Sequence, residues 1–327
     1  MGTPRHPGHE FVQGYEPGLP TCRATLGQLV RAYADFLRDA AGQKGFPVDV
    51  ASVADAFRLT VVDADLIRPL GIDGANIDAL GLVLLSSDGP ETRRRFTLAH
   101  ELVEKLVAAL RGNRLAPVVQ SYLGDTGRKE RLCHWGAAAL LLPRDALHAV
   151  LAKMDLASSA PASLASASAV ADQFGVSLFV AAQALAERYG QSRTALVVWR
   201  LANKPTELRS AAAENQTTLF GERSTALPPK AARVWWGVFP HHLRDIEASV
   251  RHSSSPAGSV VHTALTTGTS GTGQERVAIG KLDAVCDVDA RRVLFGDEPV
   301  VVSLVRLPAS YGSVVRPDMF RHGAAAS

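Results

Sequence analysis

The chain has few cysteines and little excess of basic over acidic residues. Its 327 residues include only three cysteines, at positions 22, 133 and 286, and this odd, widely spaced set fits reduced thiols better than a disulfide framework. No CxxC pair is present, so a cysteine zinc site is not expected. Lysine and arginine (35) nearly balance aspartate and glutamate (32), and charge alone gives no case for nucleic-acid binding.

Long apolar runs are also missing. No stretch of about 18 apolar residues occurs, so we expect no membrane span. The first 18 residues, MGTPRHPGHEFVQGYEPG, have no apolar segment of the kind a secretory signal needs. We therefore expect a cytoplasmic protein. Hydrophobic residues make up 46% of the chain, which is enough for a sizeable core, and the length suggests two or three domains.

Changes in composition along the chain predict an α+β protein with several parts. A Gly-, Pro- and His-rich start indicates a loose arm, and a Ser/Ala-rich stretch at 155–168 indicates a linker. The predicted parts are a flexible arm (1–22), a mainly helical domain with a small sheet (23–155), a helix-turn-helix-like segment (156–192), a C-terminal α+β domain (193–320) and a tail (321–327).

Hydrophobic periodicity predicts the main elements. The expected helices are 26–41, 51–57, 91–110, 128–142 and a pair within 164–189. Residues 111–127 are expected to form a looser connection. The expected strands are 59–62, 81–86, 195–201, 260–268, 276–285, 291–295 and 300–307.

Residues 100–104 read HELVE, where a zinc peptidase normally reads HExxH. Residues four apart on a helix share a face, so His100 and Glu104 can bind one ion while Glu101 lies beside it as a general base. The pentad alone is a weak signal, because it arises easily in a charged helix. The helix at 128–142 adds Glu130 and, one turn later, His134. The sequence thus predicts a metal site with His100, Glu104 and Glu130 as ligands, and His134 close by as a possible further ligand.

Two motifs together, RFTLAHE (95–101) and ERLCHWGAAALLLP (130–143), resemble the ImmA/IrrE family of metallo-endopeptidases. The resemblance covers most of the chain, but in the C-terminal domain it rests on length and order. It implies a zincin-like peptidase that cleaves a helix-turn-helix repressor and so releases stress or mobile-element genes. It also implies that His100 and Glu130 bind metal, that Glu101 is the general base, and that the C-terminal domain is GAF-like and senses a signal or docks the substrate.

Three departures from the family pattern fall at the site, at Val103, Glu104 and His134. Two carboxylates and one imidazole would neutralise a divalent ion, which would then acidify its water less. Oxygen-rich coordination also favours manganese or magnesium over zinc. We therefore expect weaker zinc binding or a different metal, with zinc or manganese as the candidate cofactor and no metal in the case of a pseudopeptidase. Two functions stay open: a metal-dependent endopeptidase, or an inactive pseudopeptidase that regulates by binding a repressor or another partner.

Two further features of the sequence could suggest DNA binding. The segment 170–177 (VADQFGVS) is typical of a helix-turn-helix with Gly175 at the turn. The helix after it is nearly all apolar, and only Gln183 suits a base contact, so direct DNA binding is not expected. The basic run 93–95 is expected to be solvated or to pair with nearby acids.

Overall fold

The structure is a computed structural model that describes residues 4–15, 18–154, 163–189, 193–217, 228–239, 253–279, 282–295 and 297–308. Within these ranges lie eleven α-helices and two β-sheets, which confirms the predicted α+β class. The chain divides into two compact units, one of Met1–Ser158 with Ala169–Val180 and one of Ser159–Ser168 with Ala181–Ser327. The predicted tail at 321–327 and most of the predicted linker lie outside the described residues, and the predicted domain boundaries stay predictions.

The first unit is mainly helical and carries a small three-stranded sheet. Its strands have the order β1-β3-β2, with β1 parallel and β2 antiparallel to β3. The strands are β1 (Thr60–Asp63), β2 (Gly74–Ile77) and β3 (Leu82–Leu85). The helices are α1 (Pro7–Gly14), α2 (Arg23–Ala40), α3 (Val50–Ala56), α4 (Glu91–Arg111), α5 (Pro117–Gly124), α6 (Thr126–Leu141) and α7 (Arg144–Lys153).

Helix α4 is the centre of this unit. It contains neither glycine nor proline, and its buried leucines recur at helical spacing at 98, 102, 106 and 110. It contacts α1, α2, α3, α5 and α6 as well as strands β2 and β3. Because neighbours surround it, even polar side chains on α4 become buried, and this is the setting in which the HELVE residues lie.

Helices α4 and α6 approach closely at Gly136. A Cβ on this residue would lie 2.6 Å from Val103 Cγ1 on α4 and 2.8 Å from Val30 Cγ1 on α2. Both distances are shorter than a van der Waals contact, so only glycine fits without a shift of the helices. Gly136 thereby sets the spacing between the two helices that carry the predicted metal ligands.

The expectation of a loose arm over residues 1–22 is corrected by helix α1 (Pro7–Gly14). Phe11 is buried in a cluster of aromatic rings from α2. Gly8 lies against the main-chain carbonyl of Lys105, in a space where a Cβ does not fit. The segment is helical because packing on α4 compensates for its weak intrinsic preference.

The second unit contains a five-stranded antiparallel sheet with the order β5-β4-β8-β7-β6. Its strands are β4 (Thr194–Ala202), β5 (Ala231–Val238), β6 (Gly271–Ile279), β7 (Leu282–Phe295) and β8 (Glu298–Arg306), and its helices include α10 (Pro205–Thr217) and α11 (Val260–Thr267). Helices α8 (Leu164–Phe174) and α9 (Leu178–Tyr189) each contribute residues to both units. The buried indole of Trp199 donates a hydrogen bond to Ser303 Oγ at 2.8 Å.

The strand predicted at 260–268 is wrong, because this segment forms α11. Ser259 caps the helix by accepting a hydrogen bond from the His262 main-chain nitrogen, and Gly268 ends it in the left-handed region at φ 82°. The buried residues Val261, Ala264 and Leu265 have the i, i+3, i+4 spacing of a helix. Caps and packing therefore outweigh the strand preference of its Val and Thr residues.

Among the described residues, no single helix is both long and apolar enough to cross a membrane. The bent pair α8 and α9 reaches that apolarity only when its two helices are counted together.

The close contact at Gly136 generates a stability prediction. Gly136→Ala should destabilise the protein by about 1–3 kcal/mol, because the added methyl overpacks the α4–α6 contact by more than the gain in helix propensity. Gly127→Ala is the matched control on the same helix, since Gly127 is exposed and its Cβ would meet only Asp125 Oδ1 at 3.5 Å. Urea unfolding measures both variants, and equal stabilities would contradict the packing argument.

Candidate metal centre

The predicted site residues lie on two neighbouring helices. His100, Glu101 and Glu104 are on α4, whereas Glu130 and His134 are on α6. On each helix, residues four apart share a face, and these faces meet because α4 packs against α6. The structure thus brings together side chains that are about 30 residues apart in the sequence.

His100 is the residue common to two possible metal-binding groups. Its Nε2 atom lies 3.3 Å from Glu130 Oε2, and its ring centroid lies 5.0 Å from that of His134. Ligand atoms of His100, Glu130 and His134 all lie within 4.8 Å of one another, and so do those of His100, Glu101 and Glu104. Among the described residues, the predicted trio of His100, Glu104 and Glu130 does not form such a group.

Lys129 is a site residue that the sequence analysis missed. Its Nζ atom lies 2.5 Å from Glu104 Oε1 and 3.0 Å from Glu130 Oε1, so one ammonium group bridges two of the predicted ligands. Although partial burial opposes the shift, hydrogen bonds to both carboxylates raise the pKa of Lys129. Lys129 is therefore a permanent cation at the rim of the site.

Glu101 is held from the sheet by Asn76, a second residue that was missed. The carboxyl group is almost fully buried, with 4% of the residue exposed. Asn76 Nδ2 donates to Glu101 Oε2 at 2.6 Å and to the Glu101 main-chain carbonyl at 3.0 Å. Gly74 lets β2 approach, because a Cβ there would lie 2.8 Å from Glu101 Oε1. Strand β2 thus fixes the orientation of the predicted general base.

The surroundings of Glu101 favour its protonated form. Burial, together with the charges of Glu104 and Glu130, raises its pKa to about 7. A carboxyl group with such a pKa can both accept and release a proton near neutral pH, as a general acid–base requires.

Burial favours the neutral form of both histidines. It lowers the pKa of His100 and that of His134, and the pKa of His100 is lowered further by repulsion from His134 when that ring is protonated. The pKa of Glu130 is also lowered: burial opposes the shift, but the Lys129 hydrogen bond and attraction to protonated His100 outweigh it. Neutral imidazoles and ionised carboxylates are the forms that bind metals.

Cys133 lies on α6 between these groups but takes no part in the chemistry. Its side chain is buried. Burial and the charge of Glu104 raise the pKa of its thiol to about 12. A thiol that stays protonated is neither a nucleophile nor a metal ligand at neutral pH.

The basic run 93–95 has structural partners within the first unit. Two of its arginines form ion pairs with acids, and the third donates to main-chain carbonyls. These partners are Asp73 for Arg93, Asp63 for Arg94, and the carbonyls of Val48, Phe174 and Gly175 for Arg95. These ion pairs and hydrogen bonds connect the start of α4 to the sheet and to the turn between α8 and α9, where Gly175 has φ 60°.

The raised pKa of Glu101 makes the stability of the ion-free protein depend on pH. Because the pKa of Glu101 is about 7 in the folded protein and 4.5 in a free glutamate side chain, the stabilising contribution of the protonated carboxyl group is fully present below pH 4.5 and is lost as pH rises through 7. Between pH 5.5 and 8, wild type should lose about 2 kcal/mol relative to Glu101→Gln, which stays neutral. Urea unfolding after chelator treatment measures this, with Glu91→Gln at an exposed position of α4 as the control. A difference that does not vary with pH would contradict the shift.

Comparison with known proteins identifies one part of the chain. Residues 70–186 match the family model of peptidase M78, described as the IrrE N-terminal-like domain. No curated protein matches the sequence. A solved structure of a Mycobacterium tuberculosis transcriptional regulator is similar at 12% sequence identity and a TM-score of 0.49, over 91% of this chain and 93% of that chain. Residues 70–186 are therefore similar to the IrrE N-terminal-like domain of the peptidase M78 family, which is a metallopeptidase-type domain.

Proposed function

We propose that this protein is a metal-dependent endopeptidase that cleaves a helix-turn-helix repressor at one site and so derepresses stress or mobile-element genes. The observation that carries the proposal is Glu101, a buried carboxyl group with a pKa of about 7, whose carboxylate lies within 4.8 Å of ligand atoms of His100 and Glu104 that could hold an ion. This group lies inside the segment that matches peptidase M78.

The donor atoms fit a divalent metal. Two ligands of a tetrahedral zinc ion, each about 2.0–2.2 Å from it, are separated by about 3.4 Å, and His100 Nε2 lies 3.3 Å from Glu130 Oε2. These two residues would hold the ion, and Glu104 or His134 would supply a third ligand. When bound, such an ion acidifies a water molecule and polarises a peptide carbonyl.

Glu101 would move the proton that hydrolysis requires. It takes a proton from the attacking water and gives it to the leaving amine of the cleaved peptide. The hydrogen bonds from Asn76 hold the carboxyl group in one orientation, so the proton acceptor is positioned before substrate binds. Burial of Glu101 supports this role, because it keeps the pKa close to the working pH.

The choice of a repressor as substrate follows from the family resemblance of the two motifs. In this proposal the second unit docks the repressor or senses the signal that triggers cleavage. Its antiparallel sheet and α11 form a core of their own, so this unit could bind a ligand or a partner as a separate module.

Glu101→Gln tests the proposed activity. In cells that express the wild-type chain, sequencing of protein N-termini should find new ends in a helix-turn-helix protein. The Gln variant should reduce them at least about a hundredfold, because it cannot accept the proton. Glu91→Gln, an exposed substitution on the same helix, should leave cleavage unchanged.

The same experiment has an outcome that contradicts the enzyme. Equal patterns of N-termini from wild type and Glu101→Gln, with both proteins folded by circular dichroism, would rule out peptidase activity through Glu101. The protein would then act on its partner by binding, as a pseudopeptidase does.

A further inference from the structure

The pair formed by Glu104 and Lys129 separates Glu104 from the other predicted ligands. Glu104 Oε1 is 2.5 Å from the ammonium nitrogen, the distance of a strong charge-assisted hydrogen bond. Both partners are partly shielded, with Lys129 15% and Glu104 32% exposed in their side chains. A divalent ion bound by Glu104 Oε1 would have to replace this ammonium at the same oxygen, whereas Glu130 contacts the ammonium through Oε1 and leaves Oε2 toward His100.

His134 offers an imidazole from the other helix. It follows Glu130 by one turn of α6, so both side chains share a face. Its ring centroid is 5.0 Å from that of His100 and 5.7 Å from that of Phe96, which supports the imidazole from the side. Although its ring packs against His100 and Phe96, His134 keeps one side open to solvent, so an ion and its water could reach this side of the site.

We infer that the second imidazole ligand, absent at position 104, is supplied by His134 from α6, while Glu104 stays outside the coordination shell as the ion-pair partner of Lys129. This inference rests on the proposed metal-dependent function. The ligand set is then His100, Glu130 and His134, the group whose donor atoms lie within 4.8 Å of one another.

This set changes the metal that the site prefers. Two imidazoles and one carboxylate, with a fourth position open to water, are a known donor set of catalytic zinc sites. One imidazole and two carboxylates would favour a harder ion such as manganese. Zinc is therefore the expected ion.

Lys129 also orients the carboxylate that does bind. It contacts Glu130 Oε1 at 3.0 Å, while Glu130 Oε2 faces His100 at 3.3 Å. One oxygen is thus held by the lysine and the other is left toward the metal position. Partners of this kind fix the geometry of a ligand without entering the shell.

Zinc affinity of the full-length, chelator-treated protein tests the inference by competition with a chromophoric chelator. His134→Ala should weaken zinc binding at least about tenfold, since it removes a ligand. Glu104→Gln removes the carboxylate charge but keeps an amide oxygen that can accept from Lys129, so Lys129 still orients Glu130, and zinc affinity should stay within about fivefold of wild type. His148→Ala, an exposed histidine on α7, is the control and should bind as wild type does. Cobalt binding adds a second readout, because only a tetrahedral site gives intense visible absorption, and His134→Ala should lose it.

Two results overturn the inference and are distinguishable. A tenfold or greater loss in Glu104→Gln, whether or not His134→Ala also weakens binding, means that Glu104 is a ligand; the metal-dependent function then stands with a different shell. Failure of folded wild type to bind zinc, cobalt or manganese overturns both the inference and the proposed metal-dependent function.

Discussion

Three carboxylates meet in one partly buried space between α4 and α6, and the balance of their charge governs the site. Glu101, Glu104 and Glu130 are close enough that each affects the titration of a neighbour. Buried charges are costly unless they are paired. Lys129 balances Glu104 and part of Glu130, and Asn76 offers Glu101 only a dipole. The remaining negative charge favours a bound cation or a proton on Glu101.

This electrostatic arrangement depends on close packing of elements that carry no charge. Gly136 allows α6 to reach Val103 on α4, and Gly74 allows β2 to reach Glu101. Val103 is one of the three departures from the family pattern, and its methyl groups fill the space against Gly136. The valine side chain is accommodated because a glycine faces it.

The sequence predicts the helices of the site well and its remaining partners poorly. Periodicity predicts α4 and α6 to within about two residues, and spacing on a helix then shows which of their side chains share a face. Lys129 and Asn76 were missed because their roles depend on how separate elements meet, which periodicity does not report. Strand β2, with the sequence GANI, was missed since four residues with glycine and asparagine have a weak strand preference.

The same limit applies to the smaller elements. Helix α5 lies in the connection expected to be loose, and α7 follows Pro143 without a strong apolar pattern. In both, burial of a few side chains such as Val119 and Leu151 supplies the stability that local preference lacks. Elements of this kind follow from the tertiary fold, and the sequence around them carries little advance sign of it.

The pairing of Glu104 determines how reactive a metal at this site can be. With Glu104 as a ligand, two carboxylates cancel the charge of a divalent ion, and the ion acidifies water only weakly. With Glu104 bound to Lys129, only Glu130 opposes the ion, and a net positive charge remains to lower the pKa of a water molecule. The substitution of imidazole by carboxylate at position 104 therefore does not by itself indicate a lost activity. In the proposed ligand set, Lys129 neutralises Glu104 and keeps it outside the coordination shell, and His134 provides the imidazole that position 104 lacks.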